Sequence, residues 1–250
     1  MADSCAICGG SGWRVVERHG ISGAERCQCY RQERVSAMLD AARIPPLYQN
    51  ASFENFVIPE DNPTAANALG FAFTNALNYT RAFPETEKPG LLFIGNPGTG
   101  KTHLAVATLR KLIQKGFDGL FYDYQNLLDN IRAGYDRESG SMDKEAYRSV
   151  LEAPVLLLDD LGAHRVTDWV DDTVTSIITY RCNFRRPLIA TTNLVDPDAG
   201  FLMTERSLPG APVRNTLAER IGMRARSRIF EMCKVVRMPA VEDYRVKRVR

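Results

Sequence analysis

The chain has 250 residues, enough for one or two domains, and its 44% hydrophobic and 25% charged residues are ordinary for a globular protein. No apolar run approaches the roughly 20 residues that cross a bilayer, and the N-terminus lacks the basic and apolar stretches of a secretory signal. The composition therefore argues against a membrane protein and favours a cytoplasmic one.

The charge is unevenly distributed along the chain. The formal net charge is only +2, but residues 201–250 carry 12 Lys/Arg against 5 Asp/Glu, a net charge of +7, so the first 200 residues carry −5. A basic end on a nearly neutral protein indicates that the protein binds an anionic partner, either nucleic acid or nucleotide phosphate. A solvated basic tail without a partner is an equally good interpretation.

Four of the six cysteines form two close pairs near the N-terminus, Cys5-x₂-Cys8 and Cys27-x-Cys29. In a cytosolic chain, clustered cysteines indicate metal rather than disulfides, and four thiolates suit tetrahedral Zn²⁺. An iron–sulfur cluster and a redox dithiol are the alternatives. His19 lies between the pairs, and we expect it to be exposed because four cysteines already complete the ligand set.

Two helical segments are predicted before residue 90. Residues 31–43 form a short helix, which the prolines at 45 and 46 stop, and residues 64–83 form a second helix. The segment between them is irregular, and we expect its aromatic residues Tyr48, Phe53 and Phe56 to pack on the structure that follows.

From Gly90 onward, short apolar strands alternate with helices. Such alternation predicts a parallel sheet covered on both faces, a doubly wound α/β fold. The strands are predicted at 91–94, 119–123, 155–158, 187–192 and 235–238, and the helices at 101–115, 124–133, 143–152, 168–184 and 216–230, with a long loop over 195–215. The predicted organisation is a zinc-binding segment over 1–43, a helical linker over 44–89 and an α/β domain over 90–250.

A phosphate-binding motif follows the first of these strands. The stretch GNPGTGKT matches G-x-x-x-x-G-K-[ST] completely, and it opens a helix, as phosphate binding requires. We expect Lys101 to reach the β- and γ-phosphates and the Thr102 hydroxyl to bind Mg²⁺. The residues predicted to contact the nucleotide are Gly95, Asn96, Pro97, Gly98, Thr99, Gly100, Lys101, Thr102 and His103.

Acidic and amide side chains follow two other strands. Asp159 and Asp160 end the strand at 155–158, and Asn193 follows the strand at 187–192. Ligands of open α/β sheets bind at this edge. Asp159 is predicted to hold Mg²⁺, Asp160 to activate the attacking water, and Asn193 to position the γ-phosphate or that water. The alternative for the two aspartates is a solvated pair at a strand end.

Three arginines, Arg220, Arg224 and Arg228, lie four residues apart on the last predicted helix and so share one face. One of them could contact the γ-phosphate of ATP bound to a neighbouring subunit, which is the role of an arginine finger. The alternatives are a DNA-binding face and a solvated basic face.

These motifs together resemble those of DnaC/DnaI-type helicase loaders and IstB-like ATPases, a branch of the AAA+ superfamily. The resemblance runs from about Cys5 to Arg245. It is carried by CAICGGSGW with CQC, by YQNASFENF, GNPGTGKTHLA, LLLDDLG and IATTN, and by SRIFEMCKVV followed by EDYR.

The resemblance implies that Lys101 is the Walker A lysine, that Asp159 and Asp160 are the Walker B acids and that Asn193 is sensor 1. It also implies that Arg228 is the arginine finger and Arg224 its companion, although the arginine-rich stretch GMRARSR leaves open which of them acts. Walker B reads Asp-Asp here where Asp-Glu is common, and we expect no full helical lid domain, since few residues follow the last predicted strand.

The function implied by the resemblance is ATP-dependent loading of a replicative helicase on single-stranded DNA, with head-to-tail self-assembly and with the zinc segment holding the helicase. ATP, Mg²⁺ and Zn²⁺ are the implied ligands. The alternatives are an IstB-like transposition helper and a nucleotide-gated DNA-binding module with little turnover. Tyr122, Tyr124 and Arg132 are predicted to contact the DNA.

Overall fold

The computed structural model describes residues 5–59, 62–135, 142–199, 215–241 and 243–244. The strands are β1 Trp13–Arg18, β2 Ile21–Arg26, β3 Gly90–Ile94, β4 Gly119–Asp123, β5 Val155–Asp159, β6 Leu188–Thr192 and β7 Cys233–Arg237. The helices are α1 Gln28–Ala41, α2 Pro63–Ala82, α3 Lys101–Gln114, α4 Tyr124–Tyr135, α5 Met142–Glu152, α6 Asp168–Asn183, α7 Leu217–Ile221 and α8 Met223–Met232.

Five strands form one parallel sheet in the order β4-β5-β6-β3-β7. Strand β6 lies between β3 and β5, with Phe93 opposite Thr191 and Leu158 opposite Ala190. The carboxyl ends of β3, β5 and β6 are therefore neighbours, and the residues that follow them meet at one edge of the sheet. This confirms the predicted doubly wound α/β fold.

The sheet is covered on both faces, as its continuous apolar strands require. Alternate residues of β3 point to opposite sides, so Leu91 and Phe93 join a core with α1, α2 and α3, while Leu92 joins a core with α4 to α8. Phe53 is buried in the first core, and Tyr48 and Phe56 pack against it, which confirms the expected packing of the irregular segment.

The N-terminal segment departs from the prediction, because the sequence indicates no strand there. Strands β1 and β2 pair as an antiparallel hairpin in which Trp13 faces Arg26 and Arg18 faces Ile21. Nearly every residue of the hairpin is exposed or half-buried, so neither face carries the apolar alternation from which a strand is recognised. Helix α1 then begins at Gln28, three residues before the predicted start.

The helix predicted over 216–230 is broken in two. Helix α7 ends at Ile221, Gly222 has φ +77, and α8 begins at Met223. A Cβ at Gly222 would lie 2.1 Å from the Asp171 carboxylate, so this turn requires glycine. The prediction of one continuous helix is wrong, and Arg220 lies on a different helix from the other two arginines of the set.

Parts of two predicted features lie outside the described residues. They are the 200–214 portion of the loop predicted over 195–215 and the end of the resemblance at Arg245 with the basic residues after it. None of the helices in the described ranges combines the length and apolarity needed to span a bilayer.

Candidate nucleotide-binding site

The phosphate-binding motif forms the loop between β3 and α3. Residues Pro97 to Thr102 and His103 line a cavity of about 1130 Å³. Lys101 is only 5% exposed, and its ammonium group donates a hydrogen bond of 2.7 Å to the Asn96 carbonyl. The Thr99 hydroxyl donates to the same carbonyl at 2.9 Å. The helix therefore begins with its free N–H groups and a buried cation directed toward the cavity, a combination that suits a phosphate chain.

Two glycines of the motif lie against the segment that follows the last strand. The Gly95 N–H donates to the Thr192 carbonyl at 3.2 Å, and a Cβ on Gly95 would lie 2.8 Å from the Cβ of Met238. Gly98 has φ +73, and a Cβ there would lie 2.1 Å from the Asp243 carboxylate. A larger residue at position 98 would therefore be strained and would clash.

The first acidic residue of the site lies directly beside the motif. One carboxylate oxygen of Asp159 accepts hydrogen bonds from the hydroxyls of Thr102, at 3.0 Å, and Thr191, at 2.6 Å. Burial raises the pKa of Asp159 to about 6, and the nearby carboxylate of Asp160 acts in the same direction. A divalent cation bound here would stabilise the ionised form, so Thr102 and Asp159 fit the predicted Mg²⁺ site.

The second acidic residue faces the cavity. Asp160 has φ +53, an uncommon backbone conformation, and its N–H donates to the Thr191 hydroxyl at 3.0 Å. The Asn193 amide donates to the Asp160 carboxylate at 3.0 Å, and both residues line the cavity. The predicted water-activating and sensor residues are thus held together opposite the phosphate loop.

Thr191 is a functional residue that the sequence reasoning missed. Its buried hydroxyl donates to Asp159 and accepts from the Asp160 N–H, so it fixes both acids relative to each other. The available signal was the polar pair Thr191-Thr192 at the end of an otherwise apolar strand.

The wall of the cavity away from the phosphate loop comes from distant parts of the chain. The irregular segment contributes Tyr48 and Val57, α2 contributes Leu69, and the C-terminal segment contributes Val241 and Tyr244. The Tyr244 N–H donates to the Gly98 carbonyl at 3.2 Å, which joins that segment to the phosphate loop. A largely apolar wall beside a phosphate loop suits a nucleoside.

His103 contacts the irregular segment as well as the cavity. One ring nitrogen lies 2.8 Å from the Ser52 carbonyl oxygen, and the ring packs against Phe56 with centroids 5.4 Å apart. Phe56 also covers Gly100, where a Cβ would lie 2.7 Å from the phenyl ring. His103 therefore fastens the wall of the cavity to the helix that carries the phosphate loop.

The three arginines of the predicted set have different surroundings. Arg220 is half-buried and donates weakly to the His164 carbonyl, at 3.4 Å. Arg224 is exposed and forms no ion pair within the described part of the chain. Arg228 pairs with Glu231 on the same helix at 2.6 Å. Only Arg224 and Arg228 therefore share a helix.

The predicted DNA contacts of two tyrosines are wrong. Tyr122 is 5% exposed and Tyr124 only 1%, and both belong to the core on the α4 side of the sheet. The Arg43 guanidinium lies over the Tyr122 ring, 5.3 Å from its centroid. Strand β4 ends inside the packed layers, so these rings are not available to a base. Arg132 is exposed, and its guanidinium lies over the ring of Trp169.

The four N-terminal cysteines come together. Their sulfur atoms all lie within 4.8 Å of one another, with 3.8 Å between Cys5 and Cys27 and 3.3 Å between Cys8 and Cys29. A tetrahedral ZnS₄ site has sulfur atoms about 3.8 Å apart, since Zn–S bonds are about 2.3 Å long. The hydrogen bond with Cys29 lowers the pKa of Cys8 to about 6. The four cysteines therefore fit a metal site.

A comparison with protein families identifies this architecture. Residues 27–200 match the family model described as IstB-like ATP binding protein, about 70% of the chain. The replicative helicase loader DnaC of Escherichia coli K12 is 25% identical over 187 residues, covering 75% of this chain and 73% of that protein. The uncharacterized protein YqaM of Bacillus subtilis is 27% identical over 180 residues, and the chain covers 55% of its length.

Solved structures agree with the sequence comparison. A crystal structure of the DnaC helicase loader superposes with a TM-score of 0.63 at 32% identity, covering 78% of this chain and all of that one. The crystal structure of DnaI, at 22% identity and a TM-score of 0.58, shares the fold over 79% of this chain.

Proposed function

Because the chain belongs to the family of IstB-like ATP-binding proteins, we propose that it is an AAA+ ATPase that loads a replicative DNA helicase onto single-stranded DNA. The observation that carries the proposal is the 32% identity to a DnaC helicase loader over 78% of this chain and the whole of that one. The geometry of the site supports the ATP-dependent step, and the basic C-terminal end of the chain supports an anionic partner.

ATP would bind with its phosphates in the loop and its base against the apolar wall. Lys101 would turn from the Asn96 carbonyl to the β- and γ-phosphates, while Thr102 and Asp159 hold Mg²⁺. Held by these two side chains, Mg²⁺ would supply positive charge beside the phosphates. Asp160, which accepts a hydrogen bond from Asn193, would orient the attacking water.

A neighbouring copy of the chain would complete the site. An arginine supplied in trans stabilises the charge on the transferring phosphoryl group, which makes assembly head-to-tail. We assign this role to Arg228 on the resemblance, with Arg224 as the alternative because it is exposed and lies one turn away on the same helix. The cysteine segment, held by zinc, would bind the helicase.

Two other functions remain as alternatives within the same ATPase site. An IstB-like transposition helper would capture a transposase in place of a helicase. A nucleotide-gated DNA-binding module would use the same phosphate loop but turn over very little ATP. The partner and the turnover rate separate these functions from the proposed one.

The purified full-length chain should capture the replicative helicase of its host and transfer it to circular single-stranded DNA only when ATP is present. Single-stranded DNA should bind more tightly with ATP than with ADP, and binding should weaken as salt rises because phosphate contacts release counterions. The measurements are co-purification with the helicase, helicase retained on the circle, and fluorescence anisotropy of a labelled oligonucleotide.

The same experiment has outcomes that contradict the proposal. Capture of a transposase without the helicase would support the transposition helper. DNA binding that responds to ATP with no steady-state hydrolysis, with or without DNA, would support the binding module. DNA binding that ignores both nucleotide and salt would contradict all three functions.

Mixing variants tests whether an arginine acts on the neighbour's ATP. Arg228→Ala should bind ATP but hydrolyse it roughly a thousandfold more slowly, the lower range for loss of an arginine finger. Lys101→Ala should be inactive and yet retain its arginine. A mixture of the two should regain activity, because Lys101→Ala subunits offer the arginine to intact phosphate loops.

The matched control is Arg148→Gln, which removes an exposed arginine paired with Glu152 on α5. Its activity should equal that of the wild type. Arg224→Ala is measured in the same way, and the variant that is slow alone and rescued in the mixture identifies the acting arginine. Action across subunits would be disproved if Lys101→Ala mixed with Arg228→Ala, and Lys101→Ala mixed with Arg224→Ala, were each no more active than the sum of their components.

A further inference from the structure

A buried ion pair connects the Asn193 loop to the helix that carries Arg224 and Arg228. The Asp196 carboxylate has no exposed surface and lies three residues after Asn193. It accepts two hydrogen bonds of 2.6 Å from the Arg226 guanidinium, one to each oxygen. Arg226 also donates to Asp198 at 2.5 Å. We infer that Arg226 is a positioning residue that couples the occupancy of the chain's own nucleotide site to the orientation of α8.

Helix α8 packs Ala225, Ile229 and Met232 into the core, and Arg226 adds a direct contact with the loop after β6. The loop after β6 is joined to α7 by a hydrogen bond of 3.0 Å from the Leu217 N–H to the Val195 carbonyl. Gly222, with φ +77, interrupts the chain between α7 and α8, so the direction of α7 does not fix that of α8. The bidentate ion pair between Arg226 and Asp196 joins α8 directly to the loop. Because both groups are planar, the pair fixes the orientation of α8 relative to the loop as well as the distance between them.

The other end of the same loop touches the catalytic edge of the sheet. Asn193 donates to the Asp160 carboxylate at 3.0 Å and lines the nucleotide cavity. Only Leu194 and Val195 separate it from Asp196, and the Leu194 N–H is held by the Thr192 hydroxyl at 3.2 Å. A shift of Asn193 toward a terminal phosphate therefore reaches Asp196 through a short, hydrogen-bonded segment.

Arg226 lies between Arg224 and Arg228 along α8. Arg226 points inward, with 15% of its side chain exposed, and its guanidinium lies over the Phe230 ring, 4.7 Å from the centroid. Arg224 is exposed and Arg228 is half-buried. A rotation of α8 about the Arg226 contact would therefore re-aim both of the arginines proposed to act on the neighbour. This inference rests on the proposed assembly and deepens it.

The test compares self-association of the full-length chain in a non-hydrolysable ATP analogue and in ADP, by analytical ultracentrifugation. The wild type should associate roughly tenfold more tightly in the analogue, a usual size for coupling between two sites. Arg226→Gln should bring that ratio close to one, while its affinity for the analogue changes little. A role confined to folding would lower the melting temperature and leave the ratio of the folded protein intact.

Two further variants keep the test decisive. Arg226→Lys retains the charge but not the bidentate contact. Its ratio of association in the analogue to association in ADP should therefore lie between those of the wild type and Arg226→Gln. If Arg226→Gln does not fold, Arg226→Lys is measured in its place. Arg148→Gln is the control and should keep the wild-type ratio.

Mixing provides the second measurement. Asp159→Asn, which should bind ATP without hydrolysing it, should restore part of the hydrolysis of Arg226→Gln, because it keeps the Arg226 contact and offers its arginines to intact phosphate loops. The variant that lacks the acting arginine, Arg228→Ala or Arg224→Ala, should not restore it. If the wild type shows no nucleotide-dependent association, the proposed assembly and the coupling are both wrong. If the wild type shows it and both Arg226 variants keep the full ratio, only the coupling is wrong.

Discussion

Lys101→Ala should abolish ATP binding at concentrations that saturate the wild type. The lysine is buried in the phosphate loop and lines the cavity, so its loss removes charge-assisted hydrogen bonds to two phosphates. Two such bonds are together worth about 3 kcal/mol, which corresponds to roughly a hundredfold in affinity. Titration with a fluorescent ATP analogue measures the effect.

The matched control lies ten residues away on the same helix. Lys111 is 43% exposed and pairs with Glu54 at 3.9 Å on the surface, so Lys111→Ala should bind ATP as the wild type does. Equal loss in both variants would indicate damage to α3 in general. Normal binding and turnover in Lys101→Ala would disprove the assignment of the phosphate loop.

Asp159→Asn should bind ATP and lose its Mg²⁺-dependent hydrolysis, since the amide keeps the size of the side chain but not its charge. Asp172→Asn is the control and should keep wild-type activity, because Asp172 is an exposed aspartate of α6 outside the cavity. In the wild type, the raised pKa of Asp159, about 6, means that protons compete with Mg²⁺ as the pH falls. The Mg²⁺ concentration needed for half-maximal activity should therefore rise below about pH 6.

Removal of metal should unfold the N-terminal hairpin and spare the ATPase core. An isolated two-stranded hairpin is marginally stable at best, and this one exposes large apolar residues such as Val15, 81% exposed, and Ile21, 75% exposed. With so little buried surface, the stability of the segment would come from the metal site, where structural zinc contributes about 10–16 kcal/mol of apparent binding free energy.

Elemental analysis of freshly reduced protein should find about one zinc per chain, as four thiolates predict. Cys27→Ser should lose the zinc, while Cys182→Ser, which changes a cysteine outside the cluster, should retain it. Amide hydrogen exchange should show the hairpin unprotected after chelation, with ATP affinity unchanged. Protein without metal that still protects the hairpin would disprove the zinc site, and iron would support the cluster alternative.

The sequence by itself determined the parts of the site that are contiguous in the chain. The motif from Gly95 to Thr102 specifies its own backbone path, since glycines and a helix start suffice to form a phosphate loop. The apolar runs before Asp159 and Asn193 identified buried parallel strands, and the rule that such strands carry ligands at their carboxyl ends predicted that these residues would meet. The two cysteine pairs indicated a metal site for the same local reason.

Only the tertiary structure decided the features that depend on which surfaces meet. The pattern around Tyr122 and Tyr124 is compatible with an exposed strand end, and only the packing of α4 and α5 buries both rings. The apolar wall of the cavity comes from segments nearly 200 residues apart, joined by contacts such as that of Tyr244 with Gly98.

The positions of the arginines also could not be determined from the sequence alone. A spacing of four residues predicts one shared face only while the helix continues, and the non-helical backbone of Gly222 ends α7 at Ile221. The Asp171 carboxylate occupies the space of a Cβ at that position, so the turn requires glycine. The pairing of Arg226 with Asp196, 30 residues earlier, leaves no local signal at all. The sequence identified the candidate arginines. Only the packed structure could distinguish the inward-pointing Arg226 from Arg224 and Arg228, because the partner of a buried charge is set by the tertiary fold.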